Sequence, residues 1–127
     1  MDRSLRKELA PGYVLHLDPD ELEKNGGSFN CSVEARVVGA HFFLCVSQVN
    51  NGFVLLPLFT SASPGRVAVS RNGRTGHEKW TNGTFHFHPG QVWSASSNGV
   101  AAAAHRGKDQ SKTGNRNCLA HEHLPVV

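Results

Sequence analysis

The stretch from His41 to Ser61, HFFLCVSQVNNGFVLLPLFTS, constrains the fold more than any other part of the chain. It holds two apolar runs, Phe42 to Val46 and Phe53 to Leu58, divided by Asn50-Asn51-Gly52. Each run has strand length, is rich in Phe, Val and Leu, and is bounded by turn residues, which predicts a β-hairpin rather than a helix. The Asn-Gly pair is expected to supply the positive φ of a tight turn. Both runs are nearly continuous instead of alternating, so both faces of the hairpin should be covered, as at the centre of a small barrel or sandwich.

Shorter strand candidates flank the hairpin. Tyr13 to Leu17 follows Pro11-Gly12, and Phe29 to Val38 alternates Cys31, Val33, Ala35 and Val37 with polar neighbours. Arg66 to Ser70, Phe85 to His88 and Gln91 to Ala95 complete the set, with Pro89-Gly90 predicting a wide turn or corner between the last two. Asp18 can cap a short helix with Pro19 in its first position, ending at Asn25-Gly26-Gly27. Met1 to Ala10 is compatible with a helical turn or a loose segment, and Val100 to Ala104 with a closing strand or a short helix. Strand-like runs at short spacing predict a mostly β fold: a small antiparallel barrel of about five to seven strands with short helical turns. The barrel should occupy residues 1–104 as one domain, with residues 105–127 a polar, frayed tail of little consequence for stability. Leu15, Val33, Phe43, Leu55, Leu56, Val67, Phe87 and Val92 are the expected core.

At 127 residues the chain suits a single core. No apolar run approaches membrane-spanning length and no charged-then-apolar leader follows Met1, so a cytoplasmic location without membrane association is expected. Three widely spaced cysteines, Cys31, Cys45 and Cys118, suit reduced thiols better than a disulfide framework or a zinc site. The net charge of +3 is uneven: −2 over residues 1–40, +3 over 41–104 and +2 over 105–127. Attraction for a polyanion must therefore arise after residue 40.

Three segments together resemble the PemK/MazF family of bacterial toxin endoribonucleases: PGYVLHLD from Pro11, GAHFFLCVS from Gly39 and VLLPLFTS from Val54. That family typically shows a Pro-Gly-Asp-Val strand, a basic Arg-His-Pro-like start to an apolar strand ending in Ser, and a strand running into Pro-Leu-Thr-Ser. The resemblance covers roughly residues 11–70. Tyr13 stands where the family commonly has Asp, and Ala40 where it has Arg. The resemblance implies an SH3-like barrel, usually a homodimer, with RNA in a groove and an antitoxin protein competing for it. It also implies metal-free cleavage of single-stranded RNA by attack of the ribose 2′-hydroxyl on the neighbouring phosphate, with no cofactor. Such a reaction needs a proton acceptor, a proton donor and a cation facing the developing charge. On this pattern His41 is the base or acid, since an imidazole exchanges protons near neutral pH, and Thr60 and Ser61 donate to a phosphate oxygen. Arg36 is a candidate to replace the missing cation, with Arg66 the alternative. Arg66, Arg71, Arg74 and Lys79 are candidate phosphate contacts.

Each of these residues has a plainer reading: a solvated histidine, hydroxyls that end a strand by bonding to backbone, a solvated basic loop. Two readings from other classes compete. A non-catalytic barrel would bind nucleic acid or a protein, with Trp80, Phe85, Phe87 and Trp93 beside the mobile basic stretch 71–79 offering a stacking surface. Alternatively, His86 and His88 have the HxH spacing that puts two imidazoles on one strand face about 7 Å apart. His77, His105 or Glu78 would have to complete such a site without any motif, so no metal ligand is assigned. His121 and His123 repeat the spacing within the tail.

Overall fold

The structure is a computed structural model and describes residues 9–104 and 117–127. It is mostly β, and the hairpin is its centre. Strand β3 (His41–Val49) pairs with β4 (Gly52–Pro57), Cys45 opposite Leu55 and Val49 opposite Gly52, with a bulge between Cys45 and Ser47. The turn differs from expectation in one detail. The positive φ, 54°, falls on Asn50, while Gly52 already belongs to the ladder. Asn tolerates the left-handed region, so the turn can begin one residue early.

The remaining strands of this sheet are β1 (Tyr13–Leu17), β2 (Ser28–Phe29), β6 (Arg74–Thr75), β8 (Trp93–Ser96) and β9 (Asn117–Leu119). Its order is β2-β8-β4-β3-β1-β9-β6, with every neighbouring pair antiparallel. Strands β5 (Val67–Ala68) and β7 (His86–Phe87) form a separate two-stranded sheet, joined to the hairpin's exit by a bridge between Phe59 and His86. Among the described residues the large sheet does not close into the expected SH3-like barrel. Its two edge strands are two residues each, too short for the long, staggered pairing that barrel closure needs.

Period-two alternation along the central strands feeds two cores. Leu15, Leu17, Phe43, Cys45, Leu55 and Trp93 face one side, under helices α1 (Pro19–Lys24) and α3 (Ser97–Ala103). Val14, Leu44, Leu56, Trp80, Phe87 and Leu119 face the other. This explains why the two apolar runs are continuous, since each face packs against a core. Helix α1 starts as expected, Asp18 accepting the Asp20 N–H at 2.9 Å with Pro19 in the first turn. Between the two alternatives for Val100 to Ala104, the chain takes the helix, capped by the Ser96 hydroxyl, which accepts the Gly99 N–H at 3.0 Å.

Three expectations need correction. Residues 30–38 form no strand beyond Phe29. The Ser32 hydroxyl and carbonyl both take the Ala35 N–H, and the carbonyl also takes that of Arg36, so the backbone curls into a turn. Val33 is consequently 71% exposed and Val37 becomes the buried residue. Val67, also placed in the core, is 45% exposed; β5 lasts two residues, too short for alternation to govern it. Leu15, Phe43, Leu55, Leu56 and Phe87 are buried and Val92 is half-buried. Finally, the tail is not frayed throughout. Asn117–Leu119 inserts between β1 and β6 and buries Leu119, while residues 105–116 lie outside the described part.

Candidate functional site

A hairpin brings its outer ends together, and here those ends carry the polar residues. The ladder continues past β4 through the Leu58 N–H, which donates to the Phe42 carbonyl at 2.8 Å. Phe59 then exchanges both backbone hydrogen bonds with His86, at 2.8 and 2.7 Å. This fixes the chain at Leu58 and Phe59, so that Thr60 and Ser61 emerge, exposed, beside His41 at the start of β3. His41, Thr60 and Ser61 line one groove of about 310 Å³, together with Arg66 and Phe59.

The hydrogen bonds around the groove define chemical roles. His41 Nδ1 lies 3.2 Å from the Leu58 carbonyl. A carbonyl oxygen can only accept, so Nδ1 carries a proton and, in the neutral ring, Nε2 keeps its lone pair. Arg66 Nη1 donates to the carbonyl and hydroxyl oxygens of Ser61 at 2.9 and 3.0 Å, which leaves the Ser61 hydroxyl proton free to donate. The Arg66 guanidinium lies 4.0 Å from the centre of the Phe59 ring, and that ring meets His41 edge to face at 5.7 Å. Phe59 therefore spaces and orients the groove's cation and its imidazole.

A second cavity, of about 340 Å³, adjoins the groove and shares His41, Phe59 and Arg66 with it. Arg36, the first-choice cation, lines this cavity, but its guanidinium is held by Asp20 at 2.8 Å and Glu23 at 3.4 Å, and also donates to the Val37 carbonyl. The hydrogen bond to Asp20, opposed by desolvation and aided by the charge of Glu23, raises its pKa. With two carboxylates matched to it, Arg36 fastens the 30–38 turn to α1, whereas Arg66 lines the groove with no carboxylate partner among the described residues. Buried Gln91 fixes the same turn: its Oε1 accepts from Val37 N at 2.7 Å and Trp93 Nε1 at 3.1 Å, and its Nε2 donates to the Ala35 carbonyl.

The basic stretch 71–79 divides differently from expectation. Arg74 donates to the carbonyls of Ser70, Trp80, Gly83 and Val69 and lies over the rings of Trp80 and Phe85. Burial, with the nearby Arg71 charge, lowers its pKa. Its guanidinium is thus engaged with backbone carbonyls and braces the loop. Arg71, bonded to the Asn82 carbonyl and the Thr84 hydroxyl, and Lys79 both remain exposed. The stretch is also built into the fold, Arg74–Thr75 pairing with β9 and His77 capping α2 (Glu78–Thr81). Trp80, Phe85, Phe87 and Trp93 are all buried, so the expected stacking surface is core.

The HxH reading gains no support. Among the described residues no three His, Cys, Asp or Glu side chains are arranged to hold a metal ion; His105 lies outside them. Cys31, Cys45 and Cys118 form no disulfide with one another, and burial pushes the Cys45 thiol up to about 12, which removes it from nucleophilic chemistry. Sequence reasoning missed Phe59 and Gln91 as organisers of the site. Nothing local distinguishes Phe59 from the apolar run before it, and the role of Gln91 depends on a turn that the alternating pattern disguised.

Among the described residues no helix is long and apolar enough to cross a membrane. In comparison with known proteins, the chain matches no family model, no curated protein and no solved structure.

Proposed function

We propose that this chain is a PemK/MazF-like endoribonuclease that cuts single-stranded RNA without a metal ion. The observation that carries this reading is the convergence of His41, Thr60, Ser61 and Arg66 on one groove, with the His41 Nδ1 proton committed to a backbone carbonyl. His41 Nε2 takes the proton of the ribose 2′-hydroxyl as that oxygen attacks phosphorus. The bond to the 5′ oxygen breaks, leaving a 2′,3′-cyclic phosphate and a 5′-hydroxyl, whose proton comes from solvent or from the protonated imidazole. Arg66 and the hydroxyls of Thr60 and Ser61 donate to the phosphate's non-bridging oxygens as charge develops there. An antitoxin protein competing for this groove and a homodimeric state complete the proposal; both rest on the family resemblance.

The test is cleavage of single-stranded RNA in the presence of a chelator, comparing the intact chain with His41→Ala, Thr60→Ala and Arg66→Ala. Loss of the base or of a donor should each slow cleavage by about 100-fold or more. Full activity in all three variants would refute the site. No cleavage by the intact chain, with salt-sensitive RNA binding retained, would favour the non-catalytic reading, Arg71 and Lys79 then providing phosphate contacts.

A further inference from the structure

We infer that the 340 Å³ cavity beside the groove is a phosphate subsite in which His88, fixed as the neutral Nε2–H tautomer, donates a hydrogen bond alongside Arg66. This deepens the ribonuclease reading and rests on it for the phosphate being that of RNA. The first observation is the tautomer. His88 Nδ1 lies 2.9 Å from the backbone nitrogen of Gly90. A backbone N–H can only donate, so Nδ1 holds a lone pair and the ring proton sits on Nε2. This is the reverse of His41 across the same cavity, where Nδ1 holds the proton.

The second observation is the surroundings of that proton. Gly65, with φ of +84°, lets the backbone approach so closely that a Cβ there would lie 2.7 Å from His88 Nε2. A Cβ on Gly90 would lie 2.9 Å from Cε1. Two glycines thus seat the ring, yet no acceptor among the described residues meets Nε2. Arg66 commits Nη1 to Ser61, and its Nε and Nη2 have no protein partner among the described residues. Among the described residues no Asp or Glu lines the cavity, and the Arg36 charge on its wall is matched by carboxylates outside it. Solvent-accessible donors, a cation and, among the described residues, no lining carboxylate suit an oxyanion of fixed negative charge.

The tautomer also limits what His88 does. Giving up the Nε2 proton would leave an imidazolate, and taking a second proton on Nδ1 would set two donors against each other at Gly90. His88 therefore holds its proton throughout while a non-bridging phosphate oxygen accepts from it, and the proton that moves belongs to His41. No bond is made or broken at His88.

Two measurements on the full chain test this. In long-range proton–nitrogen correlation spectra at neutral pH, His88 should be neutral with its proton on Nε2, and inorganic phosphate should shift that resonance. His88→Ala should weaken phosphate binding about tenfold and slow RNA cleavage about 100-fold. His88→Gln, whose amide N–H stands in for Nε2–H, should restore most of both; a proton-transferring histidine would not be rescued this way. An imidazolium or the opposite tautomer at His88, no response to phosphate, or unimpaired cleavage by His88→Ala would overturn the inference. Should His88→Ala fail to fold, the wild-type spectra and His88→Gln still decide. If phosphate shifts His88 but RNA is never cut, the anion site stands and the ribonuclease reading fails; if RNA is cut while His88 is indifferent to phosphate, only the subsite fails.

Discussion

Arg66 and Arg74 carry the same charge eight positions apart and do opposite work. Arg66 has its guanidinium on the Phe59 ring at the mouth of the groove, whereas Arg74 donates to four backbone carbonyls beside Trp80 and Phe85 of the second core. Replacing Arg74 by Met keeps much of the stem but leaves those half-buried carbonyls without their donor, which costs stability. The expected loss is about 2 to 3 kcal/mol, a fall in thermal midpoint of roughly 10 °C for a domain this size. Arg66→Met should cost under about 1 kcal/mol of stability while impairing RNA cleavage. Calorimetry on the two variants checks the contrast, and equal stability would show that Arg74 is no strut. Nothing in the residues next to Arg74 announces this difference. Arg-Asn-Gly-Arg-Thr-Gly reads as a solvated loop, and only the positions of the Val69, Trp80 and Gly83 carbonyls make Arg74 internal. The convergence of His41, Thr60 and Ser61 was legible because hairpin pairing alone brings them to one edge; the pairing of Arg36 was not, because its partners Asp20 and Glu23 sit on α1, whose place relative to the 30–38 turn no local pattern specifies.

Elements separate in the same way. The central hairpin and the Asp18-Pro19 helix start could be read directly, since each is written in contiguous residues with a physical reason for its bounds. Residues 29–38 misled because alternation is necessary for a half-buried strand and not sufficient for one; Ser32 offers the backbone a competing local bond. Strand β9 was invisible because three residues with one large apolar side chain carry no period. Its anchoring is nonetheless extensive. Asn117 Oδ1 accepts the His77 N–H at 2.8 Å, the Cys118 carbonyl accepts Trp80 Nε1 at 3.0 Å, and Leu119 is buried. Leu119→Ala should therefore destabilise by about 2 to 5 kcal/mol. Truncation after residue 116 should lower the thermal midpoint by more than that variant does, because it also removes the pairing of both β1 and β6 with β9. A truncated chain as stable as the full one would restore the frayed-tail expectation.

The whole molecule is organised by one sheet that supports two cores, and this has a consequence for how it unfolds. Strand β3 sends Phe43 and Cys45 to one core and Leu44 to the other; β4 does the same with Leu55 and Leu56, and β1 with Leu15 and Val14. A residue cannot leave one core without moving the backbone that presents its neighbour to the opposite one, so the two faces should melt together. The two tryptophans allow each face to be watched separately, because Trp93 lies in the first core and Trp80 in the second. In Trp80→Phe the remaining fluorescence reports the first core alone, and in Trp93→Phe it reports the second. Each substitution shifts the midpoint of its own variant, so the comparison is made within a variant, fluorescence against far-ultraviolet circular dichroism in the same denaturant series. Coincident curves in both variants are expected, as for an all-or-none transition. A Trp80 signal lost well before the dichroism would mean that the face carrying β5, β7 and β9 is a separate, weaker unit. The groove at the hairpin's outer ends would then be able to open without unfolding of the sheet, since Phe59 is tied to β7 by its exchange with His86.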